Sequence, residues 1–148
     1  MNSFEMGKIL VIDDETDVRD VIADGFQGLG HTVHEASNGF NGITAFDLVS
    51  PNLVIVDVFM PGMDGIEVLF EIRRRDRNVP VIMISGGGRG VYLQFLKMTL
   101  EFGANHIIEK PFLLVDLVAT AMELMRVPLP DLAVEKLSLP VPARLHNR

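Results

Sequence analysis

Short unbroken apolar runs recur along the chain: Ile9-Leu10-Val11-Ile12, Leu53-Val54-Ile55-Val56, Val81-Ile82-Met83-Ile84 and Ile107-Ile108. Runs of this length, bounded by turn residues, describe strands buried on both faces, the kind found in parallel sheets. Between them the apolar residues change to helical spacing. Val18, Ile22, Phe26 and Leu29 follow the first run, with Thr16 a candidate N-cap, Asp17 and Asp20 in the first turn and Gly30 as the stop. Thr32 to Ala36 is a short candidate strand, and Ile43, Phe46 and Val49 mark a helix closed by Ser50-Pro51. Ile66, Leu69 and Ile72 form the next helix, opened by Asp64-Gly65. A helix over 91–102 ends at Gly103, a strand over 106–110 breaks at Pro111, and a last helix runs over 113–125. Five strand–helix pairs in strict alternation predict an α/β fold: a doubly wound parallel sheet with helices on both faces, strand order 2-1-3-4-5.

Polar residues at the ends of these strands give the pattern its chemistry. The first run ends in Asp13, Asp14 and Glu15, the third strand in Asp57, the fourth in Ser85 and the fifth in Lys110. In a parallel sheet all of these fall on one edge, where open α/β sheets bind ligands. Asp57 alone could equally be a loop cap. Together the residues make a purely structural explanation improbable. Crowded carboxylates repel one another, and a hard divalent cation offsets that repulsion. Mg2+ suits a site of one or two carboxylates that leaves coordination positions open for water and phosphate oxygens. Lys110 adds a point positive charge and Ser85 a hydroxyl. These groups converge on a phosphoryl group, with Asp57 as its nucleophilic acceptor.

Composition narrows the function classes. The 148 residues suit about one domain, and 48% hydrophobic content makes it globular. A net charge of -7 argues against a nucleic-acid-binding surface. The basic cluster Arg73-Arg74-Arg75 reads as a solvated helix end, favourable to the helix dipole. There is no cysteine, so no disulfide or thiol chemistry is available. Neither a signal-peptide core nor a membrane-length apolar run is present, and the expected location is cytoplasmic. Residues 1–126 are expected to form the domain. Residues 127–148, containing Pro128, Pro130, Pro140 and Pro142, are expected to be a tail, flexible or strapped over a surface. His31 and His34 are expected to be exposed strand residues rather than metal ligands, and Met60, Met63, Met83 and Met98 gap fillers.

Asp13-Asp14, Asp57 with Met60-Pro61-Gly62-Met63-Asp64-Gly65 behind it, Ser85 before small residues, and Lys110-Pro111-Phe112 match four motifs in order and spacing. On these the stretch Lys8 to Arg126 resembles the receiver domain of two-component response regulators. The resemblance implies a flavodoxin-like (βα)5 fold that accepts a phosphoryl group on Asp57 from a histidine kinase or histidine phosphotransfer protein. It also implies Mg2+ bound directly by Asp14 and Asp57, by Asp13 mainly through water, and by the main-chain carbonyl of Phe59. Ser85 and Lys110 would contact the phosphoryl oxygens, and the Lys110–Pro111 peptide would be cis.

Three departures bear on how such a phosphate is read out. The family's usual aromatic residue three positions before the lysine is here Ile107, which cannot swing a ring. His106 beside it should point to the other face. The loop Gly86-Gly87-Gly88-Arg89-Gly90 is about three residues longer than the family norm, and its glycines suggest a mobile hinge. It lacks the Lys-Ser/Thr that ends a P-loop. The helix over 91–102 carries two apolar stripes, Tyr92, Leu93, Leu96, Leu100 and Val91, Phe95, Met98, Phe102. One can cover the sheet, leaving the other for a downstream protein, a second copy, the tail, or neighbouring helices of the same chain.

The leading expectation is therefore a stand-alone response regulator acting by phosphorylation-dependent protein contact or phosphorelay. Beyond its own phosphorylation and slow dephosphorylation no enzymatic activity is expected, because Phe59 and Gly87 offer no general base. The alternative is a constitutive interaction module of receiver shape that does not switch on phosphorylation.

Overall fold

The computed structural model describes residues 6–86, 97–131 and 133–142. Its elements follow the chain as β1 (Lys8–Ile12), α1 (Thr16–Gln27), β2 (Thr32–Ala36), α2 (Gly39–Val49), β3 (Leu53–Asp57), α3 (Gly65–Arg75) and β4 (Val81–Ser85). A helical stretch α4 over 97–101 follows. Then come β5 (His106–Glu109), β6 (Phe112–Leu113), α5 (Leu114–Met125), α6 (Ala133–Lys136) and β7 (Pro140–Val141). Five strands form one parallel sheet in the order β2-β1-β3-β4-β5, as the alternation of elements predicts.

The period-2 geometry of a strand sorts its apolar residues between two cores. Ile9, Val11, Leu53, Ile55, Ile82 and Ile84 pack with α1 and α5 on one face. Leu10, Ile12, Val54, Val56, Val81 and Met83 pack with α2 and α3 on the other. Every residue of β3 and β4 is buried, which is why their sequences show no polar alternation.

Local signals set most boundaries. Asp64 and Glu67 form a reciprocal capping box at the start of α3. Ser50, in the left-handed region, ends α2. The start of α1 differs from expectation: Glu15 is the N-cap and Thr16 the first helical residue. Gly65 is required by closeness. Its N–H donates to the Val58 carbonyl at 2.9 Å, and a Cβ there would collide with the Asp57 carbonyl and lie 2.8 Å from Val58 Cα.

Three expectations about side chains are corrected. His31 precedes β2 and is buried, its Nδ1 accepting the Gly7 N–H at 2.9 Å and its ring set nearly perpendicular to that of Phe26. Arg73 is not simply solvated: its guanidinium donates to the Gly103 carbonyl at 2.8 and 3.0 Å and to Asn105 Oδ1 at 3.0 Å, tying the end of α3 to the approach to β5. Of the methionines, Met60 and Met83 are buried, whereas Met98 is exposed. The first half of the expected helix over 91–102 lies outside the described residues, and with it Val91, Tyr92, Leu93, Phe95 and Leu96. At its described end the Phe102 ring meets Phe70 of α3 edge-on at 5.1 Å, a contact within the chain.

The segment after α5 returns to the domain at a few apolar points, Val127, Leu129, Leu137 and Val141, while most of its other described residues are exposed. β7 pairs antiparallel with β6, and Leu137 and Val141 are buried in the core shared by α1 and α5.

Gly65→Ala should destabilise the protein by roughly 1–3 kcal/mol through forced displacement of the β3–α3 connection, visible as a lower urea midpoint. Burial lowers the His31 imidazole below the ordinary histidine range, so the unfolded chain binds the additional proton first as pH falls below 6.5. Stability contributed by neutral His31 is present above that pH and lost beneath it, at up to about 1.4 kcal/mol per pH unit. His31→Asn, which keeps an acceptor for Gly7, should flatten this part of the urea-stability profile between pH 7 and pH 5.

Candidate functional site

The parallel sheet delivers its carboxyl ends to one rim. Asp13 and Asp14 follow β1, Asp57 ends β3, Ser85 ends β4 and Lys110 follows β5. Register sets their depth: Asp57 lies opposite Ile84 and Ser85 opposite Glu109, so Ser85 stands one step beyond Asp57 on the neighbouring strand. Asp13, Ser85, Asp57 and Lys110 are all buried. Polar groups retained at such depth need partners.

Asp13, Asp14 and Asp57 each offer an oxygen within 4.8 Å of the others. Lys110 Nζ lies 3.4 Å from Asp13 Oδ2 and 3.4 Å from Glu15 Oε1, and its main-chain N–H donates to the Ser85 carbonyl at 2.7 Å. The other Asp13 oxygen accepts the Glu15 N–H at 2.8 Å. Burial is the main influence on the Asp13 carboxyl and raises it above the ordinary aspartate range; the Lys110 ammonium and the Glu15 N–H work against that rise, and Asp14 adds to it. The Asp13 carbonyl accepts from Arg19 at 2.6 Å, and Arg19 in turn pairs with Glu35 of β2. The Lys110–Pro111 peptide is cis.

The donor set is all oxygen, from carboxylates that repel each other, and this fits a hard divalent cation such as Mg2+. Lys110 already neutralises part of the charge, leaving a site able to take a cation and an anionic group together. Gly86 borders the Lys110 side chain, and Gly87 lies outside the described residues. Phe59 is 46% exposed, two residues past Asp57. Ile107 is half-buried and packs in the core that contains Met83, while its neighbour Ile108 packs in the opposite core.

Two participants escaped the sequence reading. Glu15 appears there only as the third acid of a run, yet it is the second carboxylate against Lys110. Arg19 was not singled out by any sequence pattern. Its spacing from the acids, one turn into α1, was the available signal.

A five-stranded 2-1-3-4-5 sheet with three acids, a hydroxyl and a lysine on its carboxyl rim is an α/β domain with an acidic site able to hold a metal ion. The chain belongs to the response regulator receiver domain family, whose model matches residues 9–122. It is 33% identical over 105 residues to sporulation initiation phosphotransferase F of Bacillus subtilis, covering 71% of this chain and 82% of that protein. It is 37% identical over 120 residues to the probable transcriptional regulator ycf27 of Cyanophora paradoxa, covering 80% of this chain. The chain spans 48% of that regulator's length. Among solved structures, the receiver domain of NtrX from Brucella abortus superposes with a TM-score of 0.74 at 33% identity, over 81% of this chain and 99% of that one. The chemotaxis protein CheY4 of Vibrio cholerae gives 0.72 at 25% identity, over 81% and 99%. Receiver domains take phosphoryl groups from histidine kinases or histidine phosphotransfer proteins. No helix among the described residues is long and apolar enough to cross a membrane.

Asp57→Asn removes one of three mutually repelling carboxylates and should raise the stability of the metal-free protein, on the order of 1 kcal/mol in urea unfolding. Adding a divalent cation should shrink that difference, because the cation stabilises the form that binds it better.

Proposed function

We propose that the chain is a single-domain response regulator that accepts a phosphoryl group on Asp57 from a histidine kinase or histidine phosphotransfer protein, with Mg2+ bound by the acidic cluster. The observation that carries this reading is the convergence of Asp13, Asp14 and Asp57 within 4.8 Å, with Lys110 Nζ 3.4 Å from Asp13. The single-domain reading draws support from the likeness to sporulation initiation phosphotransferase F, which is covered over 82% of its length. That relative's name also favours relay of the phosphoryl group over direct control of transcription.

In the proposed reaction an Asp57 carboxylate oxygen attacks phosphorus. The P–N bond to a protonated donor imidazole breaks, its electron pair returns to the ring, and neutral imidazole departs. Mg2+ would supply charge neutralisation for the transferring phosphoryl oxygens. Asp14 and Asp57 would hold it directly, Asp13 through water, and the Phe59 carbonyl would complete the protein ligands. Lys110 would move its ammonium from the carboxylates to a phosphoryl oxygen, and the Ser85 hydroxyl would donate to another. Loss of the acyl phosphate to water would be slow, and no wider enzymatic role is proposed. The downstream step would be a protein contact in the cytoplasm, without nucleic acid. With Ile107 in the aromatic position, readout would run through the segment after Ser85, including Gly86 and Gly87, rather than through a rotating ring.

A small acyl phosphate or phosphoramidate with Mg2+ should label the protein, and Asp57→Asn should reduce labelling at least 100-fold while leaving the fold intact. Equal labelling of the variant would sink the assignment. A protein that takes no label, but binds its partner with unchanged affinity, would instead support a constitutive interaction module.

A further inference from the structure

The C-terminal segment extends past the family match at residue 122, and its described part is stitched to the loop that carries Lys110. β6 begins two residues after Lys110, and its Phe112 and Leu113 lie opposite Val141 and Pro140 of β7. The Leu114 N–H donates to the Leu139 carbonyl at 2.8 Å. Val141 is fully buried and Leu137 4% exposed, both in the core formed by Ile9, Val11 and Leu114. Leu114 itself presses on α1 at Gly25, where a Cβ would lie 2.8 Å from Leu114 Cδ2.

Lys110 is thus bounded on both sides. Upstream, its own N–H is bonded to the Ser85 carbonyl of the sheet. Downstream, the backbone is held by a strand that comes from the far end of the described chain. We propose that β7 is a positioning element for Lys110: it fixes the β5–α5 connection so that the ammonium reaches the acidic rim. Placement matters because a displacement of about 1 Å in a reacting constellation costs up to roughly 100-fold in rate. A lysine on a flexible four-carbon stem depends on its backbone for such placement. A two-residue ladder is weak alone, so the burial of Val141 and Leu137 supplies most of the hold.

This inference rests on the proposed phosphoacceptor reading, and the experiment separates the two. Full-length Val141→Asp, and the milder Val141→Ser, would be compared with the unsubstituted protein for initial labelling rate by a small phosphodonor at saturating Mg2+. Mg2+ affinity would be measured alongside. Val141→Asp should slow labelling about tenfold and Val141→Ser less. Mg2+ affinity should not fall, because Asp13 and Asp14 follow β1 and Asp57 ends β3, outside the β5–α5 connection, and loss of the nearby ammonium removes a competing charge. In a Lys110→Ala background Val141→Asp should have no further effect on rate, since a displaced lysine and an absent one are equivalent. An unchanged rate, a parallel loss of Mg2+ binding in both variants, or a full additional slowing in the Lys110→Ala background would each overturn the positioning role. Absence of label on the unsubstituted protein would instead remove the phosphoacceptor reading itself.

Discussion

Parallel pairing of strands buried on both faces is the constraint from which the rest of the molecule follows. A strand such as β3, with every residue buried, satisfies its backbone groups only through neighbours on either side and its side chains only through helices above and below. Parallel direction then obliges the ends of β1, β3, β4 and β5 to open at one rim. Residues far apart in sequence, Asp13, Asp57, Ser85 and Lys110, meet there because the sheet leaves them no other place.

That rim stores electrostatic tension. Three carboxylates within reach of one another are set against a single buried ammonium, which is shared with Glu15. Removing one member of a buried pair typically costs about 3–5 kcal/mol, since the remaining charge is stranded. The arrangement is therefore held by its surroundings: Arg19 on the Asp13 carbonyl, Gly65 allowing α3 to approach the Asp57 backbone, and the sheet and β7 on either side of Lys110. A site with excess negative charge around the buried Lys110 ammonium is suited to receive a divalent ion and an anionic group together, and its balance changes when they arrive.

Several surface-looking features turn out to be internal ties. Arg73 sits in a run of arginines that suits a helix terminus, yet it spends its guanidinium on Gly103 and Asn105. His31 is a buried acceptor for Gly7 rather than an exposed strand residue. Phe102, one member of a stripe open to a partner, has its ring edge-to-face against Phe70, although both rings stay partly exposed. In each case the partner lies more than 20 residues away, beyond the reach of any local pattern.

By itself the sequence determined the strand–helix alternation and which polar residues end the strands. Each depends on local periodicity or on chain direction, which a linear pattern carries. The unbroken apolar runs that lead into Asp57 in β3 and Ser85 in β4, and the start of α3 at Asp64-Gly65, were legible for the same reason. Only the tertiary structure decided that Glu15 shares Lys110, that His31 is buried and that Pro140–Val141 adds a strand beside Phe112–Leu113. Those outcomes are set by which distant surfaces remain to be covered once the sheet has formed, and two apolar residues among prolines do not announce which surface they will cover.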